Sequence, residues 1–160
     1  MMLRDHAFAR QLNSQHAETL DRCAQECTVA AGGYLWKQGD VSDVLYLICS
    51  GKVALEISVP NRGPIQIESV EKDEILGGSW LLPLSHWSFD ARALTEVAAF
   101  RLDGTRLRQI CEYDKVLGYH VLKAFAVATA QRLQLVRLRL LDFFGPGAQC
   151  LADEGQGLTG

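Results

Sequence analysis

Between Thr28 and Leu102 the apolar residues come in short runs, most of them closed by glycine, proline, asparagine or aspartate. No other feature of the sequence restricts the fold as much. Runs this brief suit strands, and turn residues at such spacing send successive strands back antiparallel. The runs are Thr28–Ala30, Tyr34–Trp36, Val44–Ser50, Lys52–Val59, Ile65–Val70, Glu74–Leu76, Phe89–Leu94 and Glu96–Leu102. Val53, Leu55, Ile57 and Val59 alternate with other residues, Pro60-Asn61-Arg62-Gly63 turns the chain, and Ile65 and Ile67 resume the alternation. That pattern predicts a hairpin within an antiparallel sandwich or barrel.

Helical periods flank this stretch. Phe8, Leu12, Ala17, Leu20 and Cys23 predict a helix over Phe8–Ala24, with Ser14 placed to cap a following turn. After Asp103-Gly104, the residues Leu107, Ile110 and Cys111 form one short face. Asp114 then reads as the N-cap of a long helix over about 115–144, roughly 45 Å at 1.5 Å per residue. Along it Leu122, Ala126, Thr129, Leu133, Val136, Leu140 and Phe143 follow alternating steps of four and three, a heptad seam. Val121, Phe125, Ala128, Leu135, Leu138 and Leu141 widen the apolar surface beyond it. A helix of this length outreaches a small barrel, so one face is expected on the barrel and the seam on a second copy. The glycine-rich residues 145–160 read as a flexible tail behind a domain spanning 1–144.

Composition narrows the function. The chain has 160 residues, 48% apolar and 22% charged, with a formal net charge of −3. That is a globular chain with a core, without the basic balance of a nucleic-acid binder. No apolar run reaches the roughly 18 residues of a membrane span, and Met1-Met2-Leu3-Arg4-Asp5-His6 has no apolar leader, so a cytoplasmic protein is expected. Cys23, Cys27, Cys49, Cys111 and Cys150 are odd in number and irregular in spacing, which does not suggest disulfides. Cys23 and Cys27 stand four apart, the spacing of one helix face, and are the only start for a redox or iron–sulfur site. His6, His16, His86 and His120 never come within four residues of one another, so no metal site and no catalytic constellation is expected.

The most specific segment is Gly33-Tyr34-Leu35-Trp36-Lys37-Gln38-Gly39-Asp40, followed by Leu45-Tyr46-Leu47-Ile48-Cys49-Ser50-Gly51-Lys52-Val53. It resembles the opening strands of the cyclic nucleotide-binding domain, as in the Crp/Fnr regulators and protein kinase A regulatory subunits. The resemblance covers about Phe8–Phe144. It implies an eight-stranded jelly roll (a double-stranded β-helix), mainly β with an N-terminal helix, a short phosphate-holding helix between strands, and a long C-terminal dimerisation helix.

The family's phosphate cassette reads roughly Phe-Gly-Glu-x-x-Leu, a gap, then Arg-x-Ala. Its glycine admits the phosphate, its arginine pairs with it and its glutamate meets the ribose. Here Leu76-Gly77-Gly78-Ser79-Trp80 begins the segment and His86-Trp87-Ser88-Phe89-Asp90-Ala91-Arg92-Ala93 ends it. Gly77 matches the glycine. Gly78 stands at the glutamate position, and Trp87 stands at the arginine position when Arg92-Ala93 is matched to the next strand. A slip of one residue puts His86 there. Arg92 is the nearby fixed cation, and strand alternation points it outward. Gln131-Arg132-Leu133-Gln134 resembles the dimer-helix segment of the bacterial cyclic AMP regulators, and the resemblance implies that Val136 and Arg137 stand in place of its adenine-facing hydroxyls.

A buried phosphate without its partner loses roughly 3–5 kcal/mol, about two to three orders of magnitude in affinity. The cassette residues Leu76, Gly77, Gly78, Ser79, Trp80, His86, Trp87, Ser88, Phe89 and Arg92 therefore read as a degenerate pocket. Either Trp87 and Phe89 fill it as core, or it takes an apolar or aromatic ligand oriented by Ser79, Ser88, His86 or Asp90. No cofactor is expected, and a cyclic nucleotide only weakly. The chain reads as a non-catalytic, dimeric sensor or interaction module with a protein partner. Direct DNA binding is not expected, because no helix-turn-helix segment follows Phe144. The alternatives are a Crp/Fnr-type transcriptional regulator without its own DNA-binding domain and a cupin-like small-molecule-binding protein or enzyme. Cupin metal sites need a His-x-His pair that is missing here.

Overall fold

The computed structural model describes residues 2–77, 79–81 and 85–153, with only the backbone path for Ser79 and 143–153. The chain falls into two compact units, 1–125 and 126–160. The first begins with single 3-10 turns at Leu3–Asp5 and Ala9–Gln11, followed by helix α1 (Ser14–Asp21). The expected helix over Phe8–Ala24 is therefore split. Asn13 breaks it: its side-chain oxygen accepts from the His16 N–H at 2.8 Å and caps α1, so Ser14 is the first helical residue and not the cap.

Eight strands follow: β1 (Ala24–Val29), β2 (Tyr34–Trp36), β3 (Val44–Ser50), β4 (Val53–Val59), β5 (Gly63–Val70), β6 (Ile75–Leu76), β7 (Asp90–Ala93) and β8 (Val97–Asp103). They form two antiparallel four-stranded sheets, β1-β8-β3-β6 and β2-β7-β4-β5, the jelly roll with flanking helices that the sequence implies. β1 starts at Ala24, ahead of the expected Thr28, because it pairs with β8 from Ala24↔Leu102 to Val29↔Val97. It carries Cys27, so Cys23 and Cys27 share no helix face.

The core lies between the sheets. Val44, Tyr46 and Ile48 of β3 meet Val53 and Leu55 of β4, Ala91 and Ala93 of β7, and Trp36, Trp87 and Leu76. Leu45, Leu47 and Cys49, on the other side of β3, are buried as well. The β3–β4 corner needs Gly51, which has φ +87; a Cβ there would collide with the Glu96 carbonyl oxygen. The expected β4–β5 hairpin forms, with Asn61 at φ 65 in its turn. Its register shifts by one residue between the Leu55↔Glu68 and Glu56↔Gln66 pairs, leaving Ile67 as a bulge. Beyond the bulge Ile57 and Ile65 pair in the open, exposed instead of core.

The N-terminal segment is strapped to the end of β3. The His6 Nδ1 accepts from the Phe8 N–H, so its Nε2–H donates to the Ile48 carbonyl at 3.0 Å. Asp73 accepts from the Ala7 N–H at 3.0 Å.

Helix α2 (Gly104–Tyr113) is capped by Asp103, and α3 (Lys115–Asp153) by Asp114, whose Oδ1 accepts from Val116 and Leu117 N–H at 3.1 and 3.0 Å. The helix continues past the expected end near Phe144 to Asp153. The rest of the expected tail, 154–160, lies outside the described residues.

Candidate functional site

The cassette segment runs from the end of β6 to the start of β7. Leu76 is buried in the inter-sheet core. The chain leaves it at Gly77, with φ +100, where a Cβ would collide with the Val44 carbonyl oxygen and stand 3.1 Å from the Trp87 ring. Glycine is required there by both conformation and space. Gly78 lies outside the described residues, as does the Ser79 side chain; the backbone makes one 3-10 turn, Ser79–Leu81.

Trp87 sits in the position opposite Gly77. It is 8% exposed and stacks on Trp36, with ring centroids 3.8 Å apart and planes 12° from parallel. Tyr46 flanks Trp36 at 5.6 Å. The pair is fixed from two sides. The Trp36 indole N–H donates to the Phe89 carbonyl at 2.8 Å, and the Trp87 backbone exchanges hydrogen bonds with Asp40 and Gly39, each 2.9 Å. Phe89 packs half-buried against the same core. His86 and Ser88 are exposed, His86 making an isolated bridge with Val41. So Leu76, Gly77, Trp87 and Phe89 come together, and His86 and Ser88 stand outside that group.

Arg92 follows the strand alternation. Ala91 and Ala93 face the core, so Arg92 is on the outer face of its sheet. There it makes a two-pronged contact with the buried carboxylate of Glu56, Nη2–Oε1 2.5 Å and Nε–Oε2 3.1 Å. That carboxylate holds the guanidinium in its charged form. Asp90, read from the sequence as one of the residues that could orient a ligand, accepts from the Gln38 N–H at 2.7 Å.

Trp80 is fully buried but apart from the inter-sheet core, edge-on to Phe125 at 5.7 Å. Its carbonyl accepts from Arg108 of α2. The same guanidinium grips Asp43, Nη1–Oδ1 2.6 Å, and the Thr105 hydroxyl donates to Asp43 Oδ2 at 2.7 Å. These partners hold the Asp43 carboxyl below the usual carboxylate range. Glu56, Trp36, Asp43 and Arg108 were not singled out by the sequence. Each acts across 28 to 65 residues of chain; only Trp36 lies in a local motif, which does not show its stacking role.

At Cys27 burial outweighs the neighbouring Arg101 charge. Burial pushes the thiols of Cys27 and Cys49 up, and that of Cys111 up to about 11. They are protonated at neutral pH and poor nucleophiles. Among the described residues no group of three or more histidines, cysteines and carboxylates is placed to hold a metal ion. No described helix is long and apolar enough to cross a membrane. In the heptad seam Leu122 is exposed on the first unit. On the second, Ala126, Thr129, Leu133 and Leu140 are exposed and Val136 is half-buried; the Phe143 side chain lies outside the described residues.

Two four-stranded sheets, a glycine-led turn between β6 and β7, and helices at both ends define a ligand-sensing jelly roll of the regulatory type. The chain belongs to the cyclic nucleotide-binding domain family, whose model matches residues 26–114. A protein from Geobacter metallireducens GS-15 assigned to cyclic nucleotide binding is 27% identical, with a TM-score of 0.70 over 82% of this chain and 95% of its own. The N-terminal domain of a transcriptional regulator from Streptomyces coelicolor A3(2) is 26% identical, with a TM-score of 0.67 over 87% and 94%. A cyclic nucleotide-binding domain from Methylobacillus flagellatus KT shares the fold at 23% identity, with a TM-score of 0.74 over 82% and 74%. No curated protein matches the chain.

Proposed function

We propose that this chain is a dimeric regulatory module that binds cyclic AMP and cyclic GMP weakly or not at all and acts through a protein partner in the cytoplasm, without catalysis or a cofactor. The observation that carries the reading is Trp87. Its ring lies 3.1 Å from the Cβ position of Gly77 and stacks on Trp36, so a phosphate approaching Gly77 has to displace it. The arginine of the cassette segment is engaged elsewhere, Arg92 being bound to Glu56 on the outer face. Gly78 offers no carboxylate to a ribose. The residues present fit a purine cyclic nucleotide poorly. The cassette is read as filled by its own aromatic side chains, with Leu76, Gly77, Trp87 and Phe89 forming the plug.

The heptad seam supports a homodimer through Leu122, Ala126, Thr129, Leu133, Val136, Leu140 and Phe143. A glutamate at Leu133 or Val136 should halve the mass in light scattering; an unchanged mass defeats the dimer. Calorimetric titration with cyclic AMP, cyclic GMP and cyclic di-GMP at low salt tests the pocket. The expected result is no heat and no thermal stabilisation, and saturable micromolar binding overturns the reading. A second reading, the sensor part of a transcriptional regulator, is favoured by the likeness to the Streptomyces coelicolor domain. A gel shift on DNA that survives physiological salt would overturn the expectation that this chain does not bind DNA directly.

A further inference from the structure

The N-terminal strap, residues 2–13, meets the end of β3 and the turn before β6 through one histidine. His6 is 3% exposed, and both its ring nitrogens are committed. Nε2–H donates to the Ile48 carbonyl, and Nδ1 accepts from the Phe8 N–H at 3.1 Å. The ring is therefore neutral, and the one site left for a proton is the Nδ1 lone pair that holds Phe8. Protonation sets donor against donor there. It breaks the contact that fixes the strap's own backbone and places a charge where burial disfavours one.

The body of the domain loses little when His6 leaves. The Ile48 carbonyl also accepts from the Asp73 N–H at 2.8 Å, so it keeps a partner. A cavity of about 190 Å³ lies at this junction, lined by Met2, Asp5, His6, Cys49, Lys72 and Asp73. Hydrogen bonds rather than close packing therefore hold the strap here. Asp73 draws a proton towards His6, and Arg10 of the strap repels it. Asp73 is itself engaged with the strap, accepting from the Ala7 N–H and lying 3.7 Å from Arg10. Glu74 presents its carbonyl to the ring, while its carboxylate accepts from the Glu71 N–H at 2.6 Å. Burial outweighs these attractions.

We propose that His6 is an acid-released latch: proton uptake at Nδ1 frees the strap around Asp5–Phe8 and uncovers the side of β3 that carries Cys49. That thiol is 8% exposed while the latch is shut. The shut latch excludes the proton, and the lifted strap accepts it with the ordinary histidine pKa near 6.5. The latch is therefore shut above about pH 6.5 and opens as pH falls towards the lowered pKa of the shut form. Between pH 7.5 and pH 5.5 the open fraction rises by about tenfold at most. The device lies within the first unit and needs neither the cassette nor the dimer seam.

Labelling of Cys49 in the full chain by dithiodipyridine, which reacts with thiols in mild acid, tests the latch. The site is located by peptide mass, and each rate is divided by that of the urea-unfolded chain at the same pH. A rise of about three- to tenfold is expected from pH 7.5 to pH 5.5. Hydrogen exchange of the Ala7 and Phe8 amides, corrected for its intrinsic pH dependence, should quicken in parallel while the β8 amides keep their protection. His6→Gln keeps a donor for the Ile48 carbonyl without a titrating ring, so its profile should be flat. A flat wild-type profile, or an equal rise in His6→Gln, overturns the proposal. So does a rise shared by the β8 amides, which assigns the change to global unfolding. The wild-type amide pattern decides even where His6→Gln fails to fold.

Discussion

Replacing Trp87 by alanine tests the central contact of the filled cassette. Truncating a buried tryptophan costs about 3–5 kcal/mol, and the local structure argues for the upper half of that range. A cavity is cheap only where its walls can follow. Here one wall is the Gly77 backbone, which has no side chain to move in, and the Val44 strand behind it. The other is Trp36, tied by its indole N–H to the Phe89 carbonyl at 2.8 Å. The stack at 3.8 Å adds the edge that an aromatic pair has over plain burial, about 0.5–1.5 kcal/mol. Urea unfolding followed by circular dichroism measures the loss, and near-ultraviolet dichroism reports the loss of the coupled indoles. At about 2–8 °C per kcal/mol the melting temperature should fall well clear of error. Trp87→Phe keeps an aromatic face and should cost less. A Trp87→Ala penalty below about 1 kcal/mol would mean that the ring is loosely held and that the cassette is open to a ligand.

Two further outcomes are expected. Trp87→Arg places a guanidinium at the family's arginine position, and cyclic AMP affinity should rise at least tenfold by calorimetry; a folded variant with no gain refutes the residue matching. His6 is buried, and desolvation holds its pKa below 6.5. The unfolded chain then binds the proton first, so His6 contributes stability that is present above about pH 6.5 and is lost as pH falls towards the lowered folded pKa. Unfolding free energy measured between pH 7 and pH 5 should drop more steeply for the wild type than for His6→Gln, and equal slopes contradict the assignment.

The parts of the fold that local chemistry dictates were legible in the residues. Gly51 marks a corner that no Cβ can enter, Pro60-Asn61-Arg62-Gly63 marks the hairpin, and Asp114 marks the start of α3. Illegible were the features set by distant partners. Asn13 reads equally as helix interior or cap until its side chain is seen to accept from His16. Ile57 and Ile65 alternate like core residues, but beyond the Ile67 bulge they stand in solvent. Glu56 is one polar residue in an alternating strand, and nothing local says that it is buried or that Arg92 reaches it. Trp87 was visible as a misfit at a cation position, whereas Trp36 as its stacking partner was not.

Arg108 ties together segments far apart in the chain: the turn before β3 through Asp43, the cassette turn through the Trp80 carbonyl, and its own helix α2. Breaking one of these contacts strands the charge or the carbonyl left behind, which penalises piecemeal opening. The consequence is cooperative opening. In native-state hydrogen exchange the protected amides around Asp43, Trp80 and the start of α2 should open with a single shared free energy, as one foldon, rather than fray in sequence order.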